Sequence, residues 1–353
     1  MLTIGTFIGF QCSDVIMKKS TPTVTTLTFS LDNTLGSKYI DIAQCLSAIN
    51  RRLYRQGKKY YVSQARLLAM FPETDPDAND LFADATVAIS LIPDTWVTAN
   101  AWKKSFALWQ KMNLNVLKDN PSVKGTWADF KMFMDSAHYN GGANSSGPNI
   151  NLLPIDVANG QVLGDEWYMS RYVAPQHEGE VQAPGGTGAT VLPKDADEYN
   201  IKMLGPTLGS ADALQCVGAV DGYQTTRAMV QVSPDVPALM QDNWMTRLTD
   251  EGSQDPELAN VIEDANDHPP YDIDEYPGGA TNMADPLLQD YGMCTIYNHK
   301  AFLNGFCAPL GLLKVDWALG RNAKGNYGEC TLRLQLDLMP GTYKGVMATE
   351  VSQ

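Results

Sequence analysis

Six cations crowd residues 51–66: Arg51, Arg52, Arg55, Lys58, Lys59 and Arg66. No carboxylate lies among them, and Tyr54, Tyr60 and Tyr61 are interleaved. Cationic side chains neutralise phosphates, and aromatic rings stack unpaired bases whatever their sequence. That composition fits a contact with nucleic acid. It also fits a strand edge guarded by cations against stray pairing. Both readings stand, and the six cations are the candidate binding residues.

Other chemistry is thinly signalled. The run EDANDHPPYDIDE (263–275) offers Asp264, Asp267, Asp272, Asp274 and Glu275, and oxygen-rich loops of this kind bind calcium. It lacks the DxDxDG order and two prolines stiffen it, so a solvated acidic loop is the simpler reading, with calcium left open. The four histidines, His138, His177, His268 and His299, show no ligand spacing. The Gly-rich APGGTGAT (183–190) has no lysine to reach a phosphate, and neither HExxH nor GxSxG occurs. A carboxylate pair for glycoside chemistry is decided by separation in space, which spacing along a chain does not give. No catalytic residue, no metal site and no cofactor is therefore expected. The six cysteines, Cys12, Cys45, Cys216, Cys294, Cys307 and Cys330, are scattered without a CxxC pair. They read as buried free thiols of a chain made in a reducing compartment.

The elements that must position these residues alternate with a period of two. Leu27, Phe29 and Leu31 share one face, as do Val87, Ile89 and Leu91. Cys330, Leu332, Leu334, Leu336 and Leu338 form the longest such row, with Thr331, Arg333, Gln335 and Asp337 opposite. Further strands are expected at 59–69, 168–173, 201–205, 223–232, 293–298, 312–318 and 342–350. Short strands punctuated by Gly and Pro make a sandwich or a barrel. Three helices interrupt them. Trp102, Phe106, Trp109, Met112 and Val116 make one stripe over 98–117. Thr126 and Asp129 suggest a capped helix over 127–138, with Trp127, Phe130, Phe133 and Met134 inward. A third is expected over 39–56, where Ile42, Leu46, Ile49 and Leu53 align. Residues 137–165, 174–198 and 234–290 read as long loops, the last around a short helix at 256–265.

The chain has 353 residues, of which 19% are charged, against about 25% in ordinary domains. A surface poor in charge and rich in Tyr, Trp and Met suits contact with neighbouring subunits; a neutral polar surface of Thr, Ser, Asn and Gln is the plainer explanation. The net charge of −14 is unevenly spread. Residues 134–292 hold 5 Lys and Arg against 25 Asp and Glu, whereas both flanking stretches are slightly basic. Two differently charged faces are expected. No apolar run is long enough for a membrane span, and MLTIGTFIGF has neither the basic start nor the cleavage site of a signal peptide.

Four segments carry a likeness: NRRLYRQGKKYYV (50–62), IPDTWVTANAWKKSF (92–106), PPYDIDEYPGGATN (269–282) and LRLQLDLMPGTYKGV (332–346). Together, in this order, they resemble capsid proteins of small circular, Rep-encoding single-stranded DNA viruses known from environmental samples. The resemblance implies an all-β, jelly-roll coat protein that assembles with itself into an icosahedral shell around a single-stranded DNA genome, inside the host cell and then in the virion. It carries over no catalytic residue. Such capsids commonly open on a basic arm where this chain reads MLTIGTFIGF, which keeps a double jelly roll as the alternative fold. The expected organisation is one jelly-roll domain over 1–353, with insertions at about 98–140 and 234–290. The 51–66 segment would face inward to the genome and the acidic middle outward or into subunit contacts. A carbohydrate-binding or carbohydrate-active jelly-roll protein is the alternative function, because that architecture hosts unrelated activities.

Overall fold

A computed structural model describes residues 22–32, 35–71, 84–141, 151–155, 160, 166–174, 197–210, 213–228, 244–245, 269–295, 297–320 and 330–351. In chain order the elements are β1 (Thr26–Leu31), β2 (Gly36–Asp41), α1 (Ile42–Asn50), β3 (Lys58–Met70), β4 (Asp84–Leu91), α2 (Trp96–Asp119) and α3 (Ser136–Gly141). Next come β5 (Arg171–Ala174), β6 (Asp197–Lys202), β7 (Leu208–Ser210), β8 (Ala213–Gly218), α4 (Ala219–Ala228) and β9 (Leu287–Thr295). The chain closes with β10 (Lys300–Leu303), β11 (Phe306–Ala308), β12 (Leu312–Leu319), β13 (Thr331–Leu338), β14 (Pro340–Gly341), β15 (Gly345–Val346) and β16 (Ala348–Glu350).

Two antiparallel sheets carry the fold. The first runs β1-β13-β3-β10, with β11 and β16 also paired to β3; the second runs β2-β12-β4-β9. Each sheet turns one row of apolar side chains inward, as the period of two requires. Leu27, Phe29 and Leu31 of β1 and Leu332, Leu334, Leu336 and Leu338 of β13 meet Val87 and Ile89 of β4 and Val315 and Trp317 of β12 in one core. In β3 the inward row shifts phase, from Tyr60 and Val62 to Ala65, Leu67 and Ala69. A register irregularity between Asp337 and Leu338 of β13, opposite Gln64 and Val62, absorbs the extra residue. The strand-rich, antiparallel reading of the sequence thus holds, and β1, β3, β4, β12 and β13 lie where alternation put them.

Between β4 and β9 the chain makes one continuous excursion, residues 92–286. The insertions expected at about 98–140 and 234–290 are the two ends of it. The excursion builds its own sheet, β5-β6-β8-β7, with β6 and β8 parallel. Its second core joins Val97, Ala101 and Trp102 of α2 with Phe130, Met132, Met134, Ile201, Met203 and Val220.

Four local readings are corrected. Residues 127–132 are not helical; α3 begins only at Ser136. The backbone of 133–134 instead bonds 201–204, through Phe133 N–H to Ile201 O at 2.8 Å and Leu204 N–H to Met134 O at 2.9 Å. Phe130, Met132 and Met134 enter the second core and Phe133 the first. A run buried on both faces carries no period that separates strand from helix. Residues 223–228, the described part of the strand expected over 223–232, lie in α4 instead: Asn100 of α2 donates to the Tyr223 hydroxyl at 3.2 Å and Lys104 to Thr226 at 2.9 Å, so packing against α2 overrides the strand preference of Tyr and Thr. The helix expected over 39–56 covers only 42–50. Tyr39 to Asp41 extend along β12, the Asp41 carboxylate caps α1 through the N–H groups of Ala43 and Gln44, and Arg51 ends the helix at φ 52°. Residues 342–350 fold as a tight turn at Lys344 and Gly345 followed by β16, not as one strand.

A buried polar network welds the excursion to the sandwich. The Asp41 carboxylate, wholly buried, also accepts from Gln56 Nε2 at 3.0 Å and Trp167 Nε1 at 2.9 Å. Tyr39 donates its hydroxyl to Asp135 at 2.8 Å and stacks on His138 at 4.2 Å. His138 Nδ1 accepts the Met134 N–H, so Nε2 carries the proton to Asn151 Oδ1, and Asn151 donates in turn to Gln44. Lys202, fully buried, donates to Ser136 Oγ at 2.6 Å. Burial lifts the Asp41 carboxyl to about 6 and pushes His138 down to about 4.

These two groups oppose each other in linkage. Asp41 holds its proton more tightly folded than unfolded, so between pH 4 and 6 it makes stability fall as pH rises. His138 holds its proton less tightly folded, so between pH 4 and 6.5 it makes stability rise with pH. Asp41→Asn therefore removes one opposition to the His138 slope, leaving the Asp129 carboxyl, also raised by burial, and urea midpoints rise more steeply from pH 4.5 to 6 than in the parent chain. His138→Gln does the reverse. Parallel pH profiles for both variants and the parent chain would refute this assignment.

Candidate nucleic-acid interface

The six expected cations lie along the C-terminal end of α1, the loop after it and β3. Most are already engaged. Lys58 pairs with Glu350, Lys59 with Asp94 at 2.7 Å and Arg66 with Asp337. Arg55 donates to Ala128 O at 2.8 Å, lies 3.5 Å from the Asp129 carboxylate and stacks over Trp127. Arg52 donates to Thr23 Oγ1 at 2.9 Å and points at Lys344 O. Arg51 is exposed. The tyrosines do not serve as stacking platforms: Tyr54 and Tyr60 are fully buried, their hydroxyls bound to the carbonyls of Lys344 and Arg55, and only Tyr61 is half-buried.

The fold adds a cation that spacing along the chain did not reveal. β16 pairs with the start of β3, and the turn before it sets Lys344 beside residues 52–58. Its ammonium donates to Leu53 O and sits 5.6 Å from the Tyr54 ring and 5.5 Å from the Tyr343 ring. Burial, then the nearby Arg55, Lys58 and Arg52 charges, pull its pKa below the ordinary lysine value, although Asp129 opposes them. Arg51, Arg52, Arg55, Lys58 and Lys344 thus set five positive charges against Asp129 and Glu350 at one end of the first sheet. An anion arriving here relieves repulsion between cations. Arg66 stands apart, farther along β3.

The outer face of the first sheet carries further cations. Cross-strand register lines up Ser30, Arg333, Leu68 and Lys300 in one row and Thr28, Gln335, Arg66 and Phe302 in the next. Asp337 is the one carboxylate in these strands on that face among the described residues, and it is held by Arg66 and Thr26. Arg333 Nε is buried without a hydrogen-bond partner among the described residues. Alternation puts Arg333 on the wet face; only the pairing of β13 with β3, and of β3 with β10, sets it in a row with Lys300.

Other candidates give less. Among the described residues no three His, Cys, Asp or Glu gather as metal ligands, and no helix is long and apolar enough to cross a membrane. Cys45, Cys216, Cys294 and Cys330 are buried free thiols and Cys307 is half-buried. Trp96, the exposed tryptophan near Asp272 and Asp274, donates to Tyr271 and has Arg227 over its ring, so it presents no open sugar platform. Residues 183–190, 256–268, His177 and Cys12 lie outside the described residues. None of the protein families, curated proteins or solved structures compared with this chain matches it.

Replacing Arg51 and Lys344 by Gln is expected to lower the slope of log affinity against log salt for single-stranded DNA by about 1.4, at about 0.7 per phosphate contact. Lys59→Gln, whose charge is spent on Asp94, leaves the slope unchanged. Filter binding across salt concentrations reads both, and an unchanged slope in the Arg51/Lys344 variant removes the site.

Proposed function

We propose that this chain is a viral coat protein with a jelly-roll fold, which assembles with copies of itself into an icosahedral shell around a single-stranded DNA genome. The observation that carries the reading is the order of the eight strands along the two sandwich sheets, β1, β2, β3, β4, β9, β10, β12 and β13. Numbered one to eight along the chain, they stand as 1-8-3-6 in one sheet and 2-7-4-5 in the other. That winding, with partners drawn from opposite ends of the chain, supports a jelly-roll reading, an architecture of capsid and lectin domains. The order uses one roll only, which favours a single over a double jelly roll.

Charge supports the assignment of faces. The cation cluster and the row of Arg333 and Lys300 belong to the first sheet, whose outer face would look toward the genome. The acid-rich excursion stands between β4 and β9 of the second sheet, and would make the exterior or the contacts between subunits. Electrostatic attraction then acts inward while an acidic exterior limits aggregation of shells.

Purified full-length chain is expected to form closed particles by electron microscopy and to sediment as a discrete large species at neutral pH. A chain that stays monomeric at every concentration and binds oligosaccharides would replace this reading with the lectin-like one.

A further inference from the structure

The two lateral sides of the sandwich differ. On the side of β1 and β2 the excursion seals the edges: Ile155 N–H donates to Thr28 O and Leu152 N–H to Tyr39 O, both at 2.7 Å. On the opposite side β9 ends the second sheet, and among the described residues no strand pairs with it beyond β4. Nine residues long, β9 has no Lys or Pro within it to discourage pairing. Its outer face carries Leu288, Tyr291 and Met293, which stand opposite Ser90, Ala88 and Thr86 and are 57%, 68% and 50% exposed. Asp290, the one charge in the strand, is occupied with Asn304.

A second apolar surface stands elsewhere on the chain. The last turns of α2 leave the second core, and residues 118–128 are exposed, among them Val123 and Trp127, while Leu114 and Val116 project from the helix. The 24-residue helix is about 36 Å long, so its end lies far from its buried start. The chain around each surface differs in charge. Residues 111–124 hold Lys111, Lys118 and Lys124 against Asp119, whereas β9 and the residues just before it, 284–295, hold Asp285 and Asp290 and no Lys or Arg.

We infer that the tip of α2, residues 114–124, docks on the β9 edge of a second copy of this chain. The inference rests on the coat-protein reading and names the contact that reading leaves open. The exposed parts of Leu288, Tyr291 and Met293 come to an order of 400 Å², since a fully exposed aromatic presents about 150–250 Å². That is about half of the roughly 800 Å² each partner gives a standard interface, and Asp285, just before β9, is the acid offered to Lys118 and Lys124 across the remainder. The contact joins two different surfaces, so each copy offers one tip and one edge. Repetition of such a head-to-tail contact closes rings where its rotation closes, and rings are units from which shells are built.

The test uses full-length chain in two variants, Leu114→Glu with Val123→Glu at the tip and Tyr291→Glu with Met293→Glu at the edge, circular dichroism checking that each folds. Each alone is expected to stay monomeric where the parent chain assembles, with a critical concentration raised at least tenfold. Mixed in equal amounts they form a one-to-one complex, because one supplies an intact tip and the other an intact edge. Either variant assembling like the parent chain, or a mixture that stays monomeric, overturns the contact. The milder Lys118→Glu with Lys124→Glu pair answers the case in which the first variants misfold. It is expected to weaken assembly, Asp285→Lys in the same chain is expected to restore part of it, and wild-type assembly in the lysine variant overturns the contact. If the parent chain itself never assembles, the coat-protein reading fails; if it assembles and the variants do too, only this contact fails.

Discussion

β13 occupies the slot between β1 and β3, and the molecule depends on that pairing. Leu332, Leu334, Leu336 and Leu338 face the second sheet only in the observed register, with Leu334 opposite Phe29 on one side and Leu67 on the other. A slip of one residue would turn four buried leucines to water and four polar residues into the core. At about 1.5–3 kcal/mol for each buried leucine, that penalty is of the order of the whole stability of a domain. The same pairing returns the chain end to β3, where β16 and the turn at Lys344 complete the cation cluster. The cluster is therefore a consequence of how the chain closes.

The excursion of residues 92–286 meets the sandwich through a different kind of contact. Two apolar cores lie back to back, and between them run Asp41, Gln44, Gln56, Asp135, His138 and Asn151, each satisfied by another member or by backbone. A network of this kind is costly when half made and directional when complete. It fixes where the excursion sits, which an apolar seam alone would define less sharply. Asp41 shows the economy of the arrangement: one carboxylate caps α1, receives Gln56 from the loop before β3 and receives Trp167 from the excursion.

Strands with one wet face were legible in the sequence because water on one side imposes alternation; β1, β4, β12 and β13 are of this kind. Residues 130–134 were not, because both faces are buried and alternation of core against core looks like a solid apolar run. Residues 223–228 read as strand because Thr and Tyr favour strands, and packing against α2 overrides that preference. Of the candidate site, the cations of 51–66 were visible as a charge run. Their pairing with Asp94, Asp337 and Glu350, and the arrival of Lys344, depend on partners up to about three hundred residues away, and no local pattern carries that.

The proposed arrangement is directional: the outer face of the first sheet would look into a shell and the excursion would look out. Electron cryomicroscopy of assembled particles, at a resolution that separates sheets from helices, tests it most directly. The account predicts the sheet containing β1, β13, β3 and β10 lining the lumen, with α2 and α4 outside it. Particles with the helices against the lumen and that sheet outermost would contradict it.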